Sequence, residues 1–321
     1  KMTGLDICGI DLVCDSISAP LEVQKGAIIE VNAAPGLRMH LQPSFGRGRA
    51  VGEAIIDYMF TPGEDARIPI VAVTGTNGKT TTVRLIANML SLNGMRVGMT
   101  CTDGAFVDGN CIDTGDCSGP KSAKNVLFHP EVDAAVLETA RGGMLREGLG
   151  FDRCNVAVVT NIGRGDHLGL SDINTSEEVA VVKRIVVENV TLRRGYAELN
   201  ADDPLVVKMA DGCPGSVIYF TQNSRNPVTL THRIQQKRVV YLDKEYIVAS
   251  SADTEQRFAL SEIPLTKNGL IRFQIQNVMA AIGAGWALGI DWTLIRAGLV
   301  NFVGDTQTVP GRFNFFNYRD A

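Results

Sequence analysis

Between residues 68 and 90 the chain reads IPIVAVTGTNGKTTTVRLIANML: a short apolar run, a turn of glycine and threonine, then helical periodicity. A strand that enters a glycine turn and leaves as a helix brings unpaired backbone N–H groups, and the positive end of the helix dipole, to one point beyond the strand. Gly75-Thr76-Asn77-Gly78-Lys79-Thr80 therefore reads as a phosphate-binding loop. The glycines let the backbone approach phosphate closely, Lys79 can neutralise β- and γ-phosphates, and Thr80 offers a hydroxyl to Mg2+. The spacing is G-x-x-G-K-T, and Val73 stands where the general G-x-x-x-x-G-K-[ST] pattern has its first glycine. The loop is a shortened variant.

The surrounding pattern predicts an α/β fold with a mostly parallel sheet. IPIVAV, RVGMTC, DAAVLE and NVAVVTNI are short apolar runs, often β-branched, as buried parallel strands require, and helical patterns fall between several of them. Further on, VVYLDKEYIVAS reads as a hairpin around Asp243-Lys244, and RFQIQNVMAAIGAGWALGI as a helix with Gly289 as a candidate cap. Ahead of the loop lie two strand-like runs, CGIDLV and AIIEVN, and a helix-like AVGEAIIDYMF. The stretch TPGEDARIP, rich in proline, glycine and charge, marks a seam. The expected organisation is residues 1–60, a linker at 61–68, a large domain at 69–311 and the start of another at 312–321.

Composition narrows the function classes. A chain of 321 residues has room for roughly two domains of ~150 residues. A net charge of −4 gives no reason to expect a nucleic acid or an anionic membrane as partner. No apolar run approaches the ~18 residues of a membrane span, and KMTGLDICGI lacks the layout of a secretory signal. Seven scattered cysteines, with no C-x-x-C and with Cys8/Cys14 and Cys111/Cys117 as the closest pairs, suggest reduced thiols and a cytoplasmic location.

The loop VTGTNGKTTT resembles that of the Mur ligase superfamily, which includes the muramyl-peptide ligases and folylpolyglutamate synthase. Other parts of that pattern follow in order. In VLETARGG, Glu138 ends a strand where the family has a magnesium-binding acid; in VVTNIGRGDHLG, His167 takes the metal-ligand position. Lys183, sixteen residues beyond His167, matches the lysine that many relatives carbamylate. YAELNADDP resembles the family's N-x-D-D turn, Asn277 in RFQIQNVMAA matches the asparagine that reads adenine, and Arg312 in PGRF matches an ATP-phosphate contact. The resemblance implies ATP bound by Gly75, Thr76, Asn77, Gly78, Lys79, Thr80, Thr81, Asn277 and Arg312, and Mg2+ held by Thr80, Glu138 and His167. It implies catalytic roles for Lys79, Glu138, His167 and Lys183.

GIDLV followed by AIIEVNAAPG resembles the last magnesium-binding strands of an ATP-grasp domain, with Asp11, Glu30 and Asn32 as ligands. Glu30 and Asn32 are two apart, hence on one strand face, and oxygen ligands suit Mg2+. Arg38 and His40, in APGLRMH, are candidates for a substrate site. The combination, with GDCSGPKSA and ETARGGMLREGLGFDRC, resembles the two-module ligases that build multi-L-arginyl-poly-L-aspartate. There the ATP-grasp site adds aspartate to the backbone, and the Mur-like site joins arginine to the aspartate β-carboxylate. The resemblance implies homo-oligomers, and a chain that opens inside the first module and ends where a C-terminal ligase domain begins. Arg141 and Arg146 are candidates for contacting polymer carboxylates, with pairing to Glu147 or Asp152 as the other reading. Two further functions stay open: another Mur-type ligase acting on muramyl peptides or folate, and a P-loop module that binds ATP without turnover.

Overall fold

The apolar runs around the glycine loop become neighbouring parallel strands in the computed structural model, which describes residues 4–163, 169, 173–304, 310–312 and 314. The chain divides into two units, Lys1–Arg67 and Ile68–Ala321.

The first unit holds the antiparallel pair β1 (Gly9–Val13) and β2 (Ala27–Asn32), followed by α1 (Arg38–Leu41) and α2 (Val51–Met59). Asp11 pairs with Glu30, and the register shifts between Asp11 and Leu12. Ile10, Leu12, Ile28, Ile29 and Val31 are exposed on this ribbon.

The second unit runs β3 (Ile70–Thr74), α3 (Lys79–Leu92), β4 (Val97–Cys101), β5 (Gly104–Val107), β6 (Asn110–Thr114), α4 (Pro120–Leu127), β7 (Ala134–Glu138), α5 (Arg141–Glu147) and β8 (Val156–Val159). It continues α6 (Ser176–Glu188), β9 (Tyr196–Asn200), α7 (Pro204–Val207), β10 (Ser216–Thr221), α8 (Pro227–Ile234), β11 (Val239–Asp243), β12 (Tyr246–Ser250), β13 (Glu255–Ala259), α9 (Arg272–Ala287) and α10 (Trp292–Val300). Among the described residues these strands form one eleven-stranded sheet, ordered β13-β12-β11-β10-β9-β8-β3-β7-β4-β5-β6. From β4 to β11 every pairing is parallel, and antiparallel strands extend both edges. The β11–β12 hairpin was legible in the sequence; β5, only four residues long, and β6 and β13, partly polar, were not.

Side-chain alternation sets the layers. Val71 and Val73 of β3, Val136 of β7 and Val158 of β8 pack on one face with α3, α9 and α10. Ile70, Ala72, Leu137 and Val159 point to the other, against α4 and α6. Helix α6 starts with a capping box: the Glu178 amide donates to the Thr175 hydroxyl at 3.2 Å, and the Thr175 amide donates back to the Glu178 carboxylate at 3.0 Å. Bonds from the Asn174 and Thr175 amides hold the Glu178 carboxyl below its usual range. Helix α9 is buried nearly all round, so it reads as a core helix rather than an amphipathic one.

One polar group breaks the pattern. Glu198 of β9 is fully buried toward α9, where a Cβ at Gly283 would collide with its carboxyl group, and neither oxygen has a hydrogen-bond partner among the described residues. Burial pushes its pKa well above the ordinary 4.5, so the folded chain holds this acid neutral. Below about 4.5 it is neutral in both folded and unfolded chains; above that pH only the unfolded chain ionises it readily, so native stability falls as pH rises toward the folded value. Glu198→Met, similar in length and apolar, is expected to gain ~1–3 kcal/mol at neutral pH. The gain shrinks toward pH 4.5. Urea unfolding of both proteins across this pH range checks it; a pH-independent difference contradicts the assignment.

Candidate functional site

At the end of β3 the chain turns through Gly75, with φ of 141°, and enters α3 through Gly78, with φ of 88°. Both angles are strained for any residue with a Cβ, and space forbids one as well: at Gly75 it would strike the Thr160 hydroxyl, at Gly78 the Asn277 amide. The loop is clasped by Thr160 and Asn161, just beyond β8. The Thr76 amide donates to the Asn161 carbonyl at 2.9 Å and the Asn77 amide to Asn161 Oδ1 at 2.9 Å. The Thr160 hydroxyl donates to the Asn77 carbonyl at 2.6 Å. The run NVAVVTNI yields a strand to Val159; the Thr160 amide still donates to the Thr74 carbonyl at 3.0 Å, while the Thr160 hydroxyl and Asn161 turn to the loop.

Glu138, the last residue of β7, is 3% exposed and faces the start of α3. Its carboxylate accepts from the Thr80 hydroxyl at 2.7 Å, the Thr102 hydroxyl at 2.9 Å and the Thr102 amide at 3.2 Å. Lys79 Nζ lies 4.0 Å from Glu138 Oε1 and donates to the carbonyls of Gly75 and Thr76, at 3.1 and 3.0 Å. From α6, Lys183 reaches under the loop: 2% exposed, it donates to the Gly75 carbonyl at 3.1 Å. Asn277 of α9 donates through Nδ2 to Gln274 at 2.9 Å, leaving Oδ1 toward Gly78. Arg312 donates to the Thr80 hydroxyl at 3.3 Å and to Asp103 at 2.9 Å, and Asp103 also pairs with Arg84 at 3.2 Å. Burial pushes the neighbouring Cys101 thiol up, with Arg84 partly opposing it.

These groups enclose a cavity of about 600 Å³ bounded by the loop, Thr102, Glu138, Phe273, Asn277 and Arg312. Its size suits a small-molecule ligand. It lies at the carboxyl ends of β3, β7 and β8, where the strand order reverses around β3, the usual crevice of an open parallel sheet. The helix-start amides and Lys79 favour an anion. A buried carboxylate beside a threonine hydroxyl is the hard-oxygen chemistry Mg2+ takes, so Thr80 and Glu138 fit such an ion. A larger concavity, about 780 Å³, surrounds Arg238 at the amino ends of β9 and β10, and none of the sequence-derived residues borders it.

The cavity thus gathers Thr76, Asn77, Gly78, Lys79, Thr80, Thr81, Glu138, Asn277 and Arg312, with Gly75 and Lys183 beneath the loop. His167 lies outside the described residues. Arg141, at the start of α5, is buried, whereas Arg146 is exposed; neither borders the cavity. In the first unit Asp11 and Glu30 face each other across the ladder, and Asn32 Nδ2 donates to Glu30 at 3.0 Å. Arg38 and His40 sit on the exposed face of the short α1. Among the described residues no three His, Cys, Asp or Glu side chains form a metal cluster. Thr102 and Asp103 escaped the sequence reading, where the signal was their place just beyond an apolar run; Thr160 and Asn161 stood in the quoted family segment VVTNIGRGDHLG with no role assigned.

Gly78→Ala is expected to cost ~1–3 kcal/mol, from the left-handed backbone and the Asn277 collision together. A chemical-denaturation midpoint equal to that of the parent counts against this loop geometry.

Residues 73–285 match the family model of the Mur ligase middle domain. Over 318 residues the chain is 46% identical to cyanophycin synthetase of Synechocystis sp., covering 99% of this chain and 36% of that protein. It is 45% identical over 321 residues to cyanophycin synthetase of Crocosphaera subtropica, covering 100% of this chain and 37% of that one. The chain therefore spans little more than a third of the length of these curated relatives. A solved UDP-N-acetylmuramoyl-L-alanyl-D-glutamate–2,6-diaminopimelate ligase superposes with a TM-score of 0.58 at 19% identity, covering 82% of this chain and 53% of that one, a likeness of fold.

Proposed function

The chain belongs to the Mur ligase family, through the middle domain matched at residues 73–285, and on that premise we propose that it is part of an ATP-dependent amide ligase that makes cyanophycin, multi-L-arginyl-poly-L-aspartate. The observation that carries the proposal is the buried Glu138 carboxylate hydrogen-bonded to Thr80 at the head of the phosphate loop, inside a cavity of nucleotide size. The identity to cyanophycin synthetases over nearly the whole chain directs the choice of substrate.

In this reading the loop amides and Lys79 bind the triphosphate of ATP, with Lys79 exchanging the Gly75 and Thr76 carbonyls for β- and γ-phosphate oxygens. Asn277 reads the base, and Arg312 contacts the phosphates. Thr80 and Glu138 would hold Mg2+, with His167 as the further ligand the family pattern implies; when bound, the ion neutralises charge on the phosphates. The substrate carboxylate attacks the γ-phosphorus, ADP leaves, and an acyl phosphate forms. The α-amine of arginine attacks the acyl carbon, and phosphate leaves to give the amide. Positioning and charge neutralisation supply most of the acceleration. Lys183, buried beneath the loop, is the candidate for carbamylation, and a mass measurement checks it. Residues 1–60 are the closing part of an ATP-grasp module, with Asp11, Glu30 and Asn32 as Mg2+ ligands for aspartate addition.

ADP release with a β-Asp-Arg primer tests the assignment. Lys79→Ala should abolish arginine-dependent release and spare aspartate-dependent release; if neither falls, the loop is not the arginine-adding site. Arg146, exposed on α5, is the candidate contact for polymer carboxylates. Arg146→Ala should raise the primer KM more than the ATP KM, and an unchanged primer KM removes that role.

A further inference from the structure

Asp103 stands between two arginines, one 19 positions before it and one 209 positions after it. It follows Thr102 in the turn from β4 to β5. Its Oδ2 accepts from Arg84 at 3.2 Å, and its Oδ1 from Arg312 at 2.9 Å. Arg84 is held independently of Asp103: it projects from α3, lies over the Phe106 ring at 5.3 Å and reaches Cys101 Sγ at 3.8 Å. Arg312 has a second tie, to the Pro310 carbonyl at 2.5 Å, and its other terminal nitrogen reaches the Thr80 hydroxyl at 3.3 Å. That hydroxyl donates to Glu138. A continuous chain of contacts thus runs Arg84–Asp103–Arg312–Thr80–Glu138, and its last three members line the cavity.

We propose that Asp103 is a positioning residue that braces Arg312 against α3 and presents its guanidinium to the phosphates of the bound nucleotide. The inference rests on the reading of the cavity as a nucleotide site. Two physical points support it. An arginine side chain has ~2 kcal/mol of rotamer entropy to lose on ordering, so a guanidinium fixed in advance binds more tightly than a free one. The side chains of Arg84, Asp103 and Arg312 are 13%, 21% and 29% exposed, shielded enough for their charges to matter. Without the carboxylate, the two guanidinium groups would repel each other. With it, both carboxylate oxygens are occupied, and the trio keeps one net positive charge toward the incoming anion.

Calorimetric titration of the intact protein with Mg2+ and β,γ-imido-ATP tests the proposal through a double-mutant cycle. Asp103→Ala and Arg312→Ala should each weaken binding roughly ten- to a hundredfold, as expected for loss of a hydrogen bond to a charged group. In the Arg312→Ala background, Asp103→Ala should cost less than about twofold, because its effect passes through Arg312. Asp103→Asn, which keeps an acceptor and loses the charge, should fall between parent and Asp103→Ala, and it takes the place of Asp103→Ala in the cycle if that variant fails to fold. Unchanged affinity in Asp103→Ala, or additive losses in the cycle, overturns the role. Lys79→Ala separates the two layers: if it binds like the parent, the nucleotide reading itself falls. If it loses binding while the cycle is additive, only the positioning role falls.

Discussion

The second unit is organised around one buried carboxylate. Glu138 ends β7 with almost no contact with water, and, unlike those of Glu198, its oxygens are met by donors, which offsets the cost of burying them. Thr80 comes from the helix after β3, and Thr102 from the turn after β4, so one side chain ties together the ends of neighbouring strands and the start of α3.

The glycine loop answers the same constraint from the other side. Thr160 and Asn161 clasp it with side-chain and backbone bonds, and Asn277 closes over Gly78, so the loop is set by contacts from β8 and α9 as well as by its own glycines. Lys183 adds a buried hydrogen-bond donor below the same turn. The loop is therefore largely built before any phosphate arrives, and little ordering is left for a ligand to bring about. Charge beside the cavity is balanced as well, with Asp103 bridging Arg84 and Arg312, of which Arg312 borders the cavity.

Much of this was legible in the residues. The apolar runs before Gly75, through Cys101, to Glu138 and through Val159 are the four neighbouring strands β3, β4, β7 and β8, since short continuous apolar runs with β-branching mark strands buried on both faces. The core helix of Asn277 and the hairpin at Asp243-Lys244 also formed as expected. Other features were hidden. β6 reads NCIDT, with no apolar alternation, and becomes a strand because β5 offers it an edge. The family pattern singled out Lys183, but its near-complete burial beneath the loop was not legible in the sequence. Arg141 and Arg146 share a helix and a composition; one is buried and the other exposed.

The sequence by itself determined the strand–loop–helix that points a cation and amides at one spot, and the order in which Glu138, Lys183, Asn277 and Arg312 follow it. These are local or serial properties, carried by periodicity, glycine and spacing. Only the tertiary structure decided that Asp103 meets Arg84 and Arg312, that Thr102 meets Glu138, and that Glu198 is sealed against Gly283. Such contacts join residues up to 209 positions apart, and they exist only once the sheet order brings separate strand ends side by side.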